Sequence, residues 1–169
     1  MTRQSDPTVD VPEPTRRDGD SHRIATVVVG FDGSDASWDA LWWACGEARR
    51  LSGRALAVFV SASVDCGIAM AGAVGLDTGE YAAVADRASA AQAGQLWSEV
   101  QRRGAAQEID LAFIHARGDP AHELLHVAEA VSADAIAVGR STKARHRLAG
   151  SLGRRLIANR RVPIIVIVP

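Results

Sequence analysis

Aromatic side chains are scarce: Phe, Tyr and Trp make up 5% of the 169 residues, so a core must rest on Ala, Val, Leu and Ile. Cysteine occurs only at Cys45 and Cys66, and no CxxC pair exists. That excludes a cysteine zinc cluster. Cys45 falls in a predicted helix beside Trp43 and Ala44, where a buried, inert thiol is expected. Reduced thiols suit a cytoplasmic protein. No apolar run approaches the roughly 20 residues of a membrane-spanning helix. Residues 1–22 hold charges and three of the six prolines where a secretion signal would need an apolar stretch. They are expected to form a disordered tail ahead of one domain over residues 23–169.

Acidic side chains are missing from the end of the chain. All 20 lie before Gly139, while residues 139–169 carry eight basic groups. The overall net charge of -1 hides this asymmetry. A basic segment of this kind serves an anion, a nucleic acid or an acidic partner surface, or is simply a solvated helix face. Lysine occurs once, at Lys143, against 18 arginines, which reflects coding bias rather than chemistry.

What is present alternates regularly. Ile24 to Phe31 is a short β-branched run, as expected of a strand buried on both faces of a parallel sheet. It ends at Asp32-Gly33-Ser34, where Ser34 or Asp35 can cap a helix over 35–52 that Gly53 stops. A strand at 54–61 precedes a Gly/Ala-rich loop at 62–79. A helix over 80–103 and a strand at 108–115 follow. Gly118-Asp119-Pro120 then turns into a helix over 120–132. A strand from Ala135 to Val138, a basic loop, a helix over 150–160 and a strand from Ile164 to Val168 complete the pattern. Five strands alternating with helices predict a doubly wound, Rossmann-like α/β domain with a five-stranded parallel sheet in the order 3-2-1-4-5. Ligands of such sheets sit at the carboxyl ends of the strands where the winding reverses. The loops concerned are Asp32-Gly33-Ser34 and Gly139 to Ser151.

The second loop, GRSTKARHRLAGS, carries Arg140, Lys143, Arg145, His146 and Arg147 and ends in Gly150-Ser151 at a predicted helix start. Free N–H groups and a partial positive charge at a helix N-terminus favour phosphate. Glycine admits close approach, and Ser151 can donate from its hydroxyl. The plainer reading is a capped helix beside a basic surface.

These motifs carry a resemblance. Strand VVVGFDGS with its helix, the GDP turn, and IAVGRS followed by AGSLGRRLIANRRVPIIVIVP are similar to the universal stress proteins, over residues from about Ala25 to Val168. The resemblance implies a single α/β domain that pairs into a homodimer. In the nucleotide-binding branch the last loop follows G-x2-G-x9-G-[ST]. Here Gly139 matches the first glycine and Gly150-Ser151 the final pair, but Thr142 stands at the middle glycine and the spacer is shortened to Lys143–Ala149. A β-branched Thr does not readily adopt the conformations open to glycine. Carried over by residue, Asp32 and Val60 would flank an adenine and Gly139 would meet the ribose. Arg140, Gly150, Ser151 and Leu152 would face phosphates. The implied ligand is ATP or another adenine nucleotide, with no metal beyond nucleotide-bound Mg.

His122-Glu123-Leu124-Leu125-His126 also matches the HExxH of zinc proteases, with Glu129 a conceivable third ligand. The competing reading is stronger: Leu124, Leu125, Ala128 and Val131 form the apolar face of a crossover helix, which leaves both histidines at solvent. No phosphate-binding GxxxxGK[ST] and no GxSxG elbow occurs. Trp38, Trp42, Trp43 and Trp97 are expected as core or interface anchors. Arg154, Arg155, Arg160 and Arg161 lack the interleaved aromatics of a single-strand nucleic-acid surface. The sequence therefore points to a cytoplasmic, non-catalytic regulatory homodimer paired through strand 164–168, with no membrane or nucleic-acid partner. It binds an adenine nucleotide or another anion, or else acts as a ligand-free interaction module. Weak nucleotide hydrolysis is the remaining alternative.

Overall fold

The computed structural model describes residues 26–63, 72–73, 75, 77–104, 110–140, 152–159 and 164–168. The expected tail, Cys66, much of the 62–79 loop and the basic loop from 141 to 151 lie outside these residues.

Five strands, β1 (Thr26–Gly30), β2 (Arg54–Ser61), β3 (Asp110–Arg117), β4 (Ala135–Gly139) and β5 (Ile164–Val168), lie in the order β3-β2-β1-β4-β5. Every neighbouring pair is parallel. The helices are α1 (Asp35–Leu51), α2 (Thr78–Gly104), α3 (Pro120–Ala130) and α4 (Leu152–Ala158).

Side-chain alternation explains how one sheet serves two helix layers. Val28 joins Leu56, Val58, Ile136 and Val138 against Leu124 and Leu125 of α3 and Leu156 of α4. Its neighbours Val27 and Val29 face the other way, onto Trp38, Leu41, Ala44 and Cys45 of α1 and Val100 of α2. All three β1 valines are fully buried. Each such side chain contributes about 1.5–3 kcal/mol relative to exposure. Helices cover both faces, which is the doubly wound arrangement.

Several boundaries differ from the sequence reading, each for a local reason. Ser34 caps α1, its Oγ accepting from the Ser37 amide at 3.3 Å. At the other end Ser52, not Gly53, takes the left-handed conformation (φ 53°), and the Gly53 amide donates to the Ala48 carbonyl. Helix α2 starts two residues before the expected position. Asp77 Oδ1 accepts from the amides of Gly79 and Glu80 at 2.8 and 3.0 Å and so caps it. Strand β3 runs on to Arg117 because Val60 and Ser61 continue to pair with Ala116 and Arg117. The turn comes only at Gly118, whose φ of 138° suits glycine.

The scarce aromatics act as anchors. Trp38 meets Phe31 edge-on at 4.8 Å and stacks on Trp42 at 5.6 Å. The Arg103 guanidinium lies 4.3 Å above the Trp38 ring, tying the end of α2 to α1. Trp97 stacks on Phe113 at 5.7 Å. Cys45 is buried, and burial pushes its thiol up to about 11, so it stays protonated and unreactive. The rest of α2 is loosely held: only Ala93 and Val100 are buried along its length.

Candidate functional site

The chain runs from β1 outward to β3, then crosses back to β4 on the other side of β1. The winding therefore reverses between β1 and β4. Register brings the expected residues to this edge. Gly30 is aligned with Val58 of β2 and with Val138 of β4. The Phe31 amide donates to the Val58 carbonyl at 2.9 Å, carrying the pairing one residue past β1. Asp32 follows. Val60 lies two residues beyond Val58, and Gly139 and Arg140 directly follow Val138. The carboxyl ends of β1, β2 and β4 thus gather Asp32, Val60, Gly139 and Arg140. Leu152 opens α4 and packs on the α3/α4 side of the core, as does Val60. Gly150 and Ser151, with Thr142, lie outside the described residues.

Asp32 is exposed, and its carboxylate organises the turn. Its Oδ1 accepts from the Ser34 amide at 3.0 Å and from the Ser34 hydroxyl at 2.5 Å. Ser34 in turn caps α1, so one carboxylate sits across a helix N-terminus and helps fix its entry. Gly33 adopts φ 80°, and a Cβ built there would lie 2.6 Å from Leu96 Cδ2 of α2. The φ is what asks for glycine, since the Leu96 methyl is the end of a flexible side chain and could move aside.

Gly139 has a structural task that the sequence did not reveal. A Cβ built on it would lie 2.2 Å from the Ala36 carbonyl oxygen and 2.8 Å from Ala36 Cβ. Its backbone φ is not in the left-handed region. Glycine is required here because the first turn of α1 passes against the end of β4. Arg140 is exposed at the edge, available to an anion.

A second polar region lies between α3 and α4, where a groove of about 280 Å³ is lined by Asp119, His122, Leu125, His126, Glu129 and Arg155, among others. Asp119 caps α3 by accepting from the His122 amide at 3.1 Å, with Pro120 in the first turn. It also takes a two-pronged contact from Arg155 of α4, at 2.7 Å on each carboxylate oxygen. The Arg155 hydrogen bonds hold the Asp119 carboxyl below its usual value. Arg155 thus braces α4 against the GDP turn.

The HExxH residues divide as the apolar-face reading expects. Leu124, Leu125, Ala128 and Val131 are buried, and His122 and His126 are exposed with their rings stacked 6.4 Å apart. Glu123 turns back beneath Gly118, where a built Cβ would lie 2.9 Å from its Oε1. Among the described residues no three His, Cys, Asp or Glu side chains gather where they could hold a metal ion.

One cluster escaped the sequence reading. At the carboxyl ends of β2 and β3, on the face covered by α2, His115 Nε2 lies 3.0 Å from Ser61 Oγ and 3.0 Å from Ser89 Oγ. The ring stacks on Phe59 at 5.4 Å. Burial first, and the Arg117 charge second, hold the imidazole below its ordinary value and so favour the neutral ring. Arg117 itself pairs with Asp86 of α2 at 2.5 Å. Residues spaced this far apart carry no local motif; the β2–β3 register brings Ser61 to His115, and the packing of α2 adds Ser89.

Among the described residues no helix is long and apolar enough to cross a membrane. No curated protein matches the chain. Solved structures do, at identities that speak to the fold alone. The universal stress protein UspA from Lactobacillus plantarum is 23% identical, with a TM-score of 0.69 over 88% of this chain and 100% of that one. A universal stress protein in complex with cAMP is 23% identical, with a TM-score of 0.58 over 87% of this chain and 98% of that one. A universal stress protein from Archaeoglobus fulgidus in complex with dAMP is 17% identical, with a TM-score of 0.53 over 86% and 98%. The family model for universal stress proteins matches residues 24–168, and the chain belongs to the universal stress protein family.

Proposed function

We propose that this protein is a cytoplasmic, non-catalytic regulatory homodimer that binds an adenine nucleotide at the loops after β1 and β4. One observation carries the reading: Asp32, Val60, Gly139 and Arg140 converge at the carboxyl ends of β1, β2 and β4, at the reversal of the winding. Two similar structures are described with cAMP and with dAMP, which supports an adenine nucleotide as the ligand class. In this reading Asp32 and Val60 flank the base and Gly139 meets the ribose. Arg140, Gly150, Ser151 and Leu152 face the phosphates. Mg enters only with a nucleotide such as ATP. The protein's own contribution is to fix the Asp32 turn through Ser34 and to present Arg140 at the edge.

Thr142 and the shortened spacer weaken the phosphate end relative to members with the full glycine pattern. Binding is therefore expected at micromolar affinity or weaker. The test is calorimetry with ATP, ADP and AMP, together with nucleotide analysis of freshly purified, denatured protein. Loss of binding in the Arg140→Ala/Ser151→Ala double variant supports the reading, and no heat with any of the three at millimolar concentration ends it.

A ligand-free interaction module is the second reading, and the packing of Gly139 favours it. Contact with Ala36 explains that glycine without a ligand. The two readings separate in the same calorimetry.

A further inference from the structure

The Ser61, Ser89 and His115 cluster lies on the opposite face of the sheet from Val60, apart from the proposed nucleotide site. We propose that His115 and Ser61 form a nucleophile–base pair that makes Ser61 an acceptor for small acyl groups from activated esters.

Three features support this. First, the geometry is that of an activated hydroxyl: Ser61 Oγ lies 3.0 Å from Nε2, within hydrogen-bond reach. Second, the base is held ready. Phe59 stacks against the ring, and β3 fixes its backbone beside that of β2. The neutral imidazole has a lone pair to take the proton. Third, the second acceptor near the Ser61 hydroxyl, the Ala116 carbonyl, is at 3.5 Å, the limit of a hydrogen bond, while Ser89 Oγ stands at the same 3.0 Å from Nε2 and is the competing hydroxyl. The Ser61 backbone is pinned, since its carbonyl accepts from the Gly118 amide at 2.9 Å. Ser61 is half-buried, and the following Ala62 and Ser63 are exposed.

In the reaction Ser61 Oγ attacks the carbonyl carbon of the ester and its proton passes to His115 Nε2. The new Oγ–C bond forms as the bond from carbon to the leaving aryl oxygen breaks. That oxygen departs with the electron pair and receives the proton from Nε2. The product is an acyl-serine, the by-product is a phenol, and nothing is oxidised or reduced.

The probe is 4-nitrophenyl acetate on the full chain, read by intact mass and peptide mapping. One acetyl group is expected on Ser61. His115→Gln should slow its appearance by about 100-fold, as for loss of a general base. Ser61→Ala should abolish it, and Ser89→Ala, which removes the competing hydroxyl, should leave it in place. Circular dichroism confirms that each variant is folded. If His115→Gln does not fold, Ser61→Ala and the mapped position decide alone. Acetylation confined to Lys143 and the amino terminus, acetylation on Ser89, or a Ser61 rate unchanged in folded His115→Gln would overturn the proposal.

Discussion

Replacing Gly139 with alanine tests whether this glycine is needed for packing. The added Cβ would stand 2.2 Å from the Ala36 carbonyl oxygen and 2.3 Å from its carbon, whereas ordinary contact begins at 3.4 Å. The obstacle is backbone, so no side chain can swing aside. The first turn of α1 would have to retreat by about 1 Å, as in other overpacked cores. It cannot do so freely. Ala40, Leu41 and Ala44 are fully buried a few residues along, and Ser34 and Asp32 fix the entry to the helix. We therefore expect Gly139→Ala to lose about 2–4 kcal/mol, at or above the usual cost of an inserted methyl group. At this chain length that lowers Tm by about 2–4 °C per kcal/mol. The assay is urea unfolding followed by circular dichroism, read from the midpoint with the slope held common. A change below about 0.5 kcal/mol, the range of surface substitutions, would refute the packing account.

His126→Ala should leave stability within about 0.5 kcal/mol, since the ring is exposed, and dialysed wild type should hold no stoichiometric zinc by atomic absorption; one zinc per chain contradicts this. β5 lies at a sheet edge beside β4 only. Its sequence, Ile164-Ile-Val-Ile-Val, is the kind that aggregates unless paired, so Val166→Lys should give monomer or insoluble protein by light scattering, and a soluble wild-type monomer at high micromolar concentration would refute β5 pairing. Asp119 is held below its ordinary 3.8, chiefly by Arg155, so its contribution is present above pH 3.8 and lost as pH falls below it. Asp119→Asn should therefore flatten the acid limb of stability against pH, and an unchanged limb would sink the assignment. His115 is held below 6.5 by burial, so the unfolded chain takes up its proton first and stability falls as pH drops below 6.5. His115→Gln should remove that slope in urea titrations.

Much of this was legible because local chemistry and global fold agree. Val27, Val28 and Val29 announce a strand buried on both sides, and Asp32-Gly33-Ser34 announces its end. The alternation then leaves little but a parallel sheet with helices on both faces. Leu124, Leu125, Ala128 and Val131 outweigh the HExxH match for the same reason: a crossover helix must bury a stripe, and this stripe takes Leu124 and Leu125 from between the histidines. The failures share a cause as well. Asp77, two residues before Gly79, reads as loop from sequence because the helix start lacks an apolar signal. Ser52 took the left-handed position assigned to Gly53, a choice made by the geometry of the α1 end rather than by propensity. In sequence Gly139 shows only as part of a motif, because its neighbour Ala36 lies a hundred residues earlier and becomes visible only in three dimensions.

The same contrast bears on how family motifs are interpreted here. A glycine pattern can persist because a ligand needs the backbone bare or because a helix does, and Gly139 stands in contact with the helix. Asp32 is similar: its carboxylate already accepts two hydrogen bonds from Ser34, so its presence supports the turn whether or not a base lies beside it. The two residues most characteristic of the proposed site are therefore also the two most tied to the framework. Variants at these two positions therefore cannot by themselves separate ligand from framework, and Arg140 gives the cleaner test. Arg140 is exposed at the end of β4, and Gly150 and Ser151 stand at the start of α4 in sequence. Binding measurements on variants of these residues test the ligand, whereas variants of Gly139 and Asp32 disturb fold and ligand together.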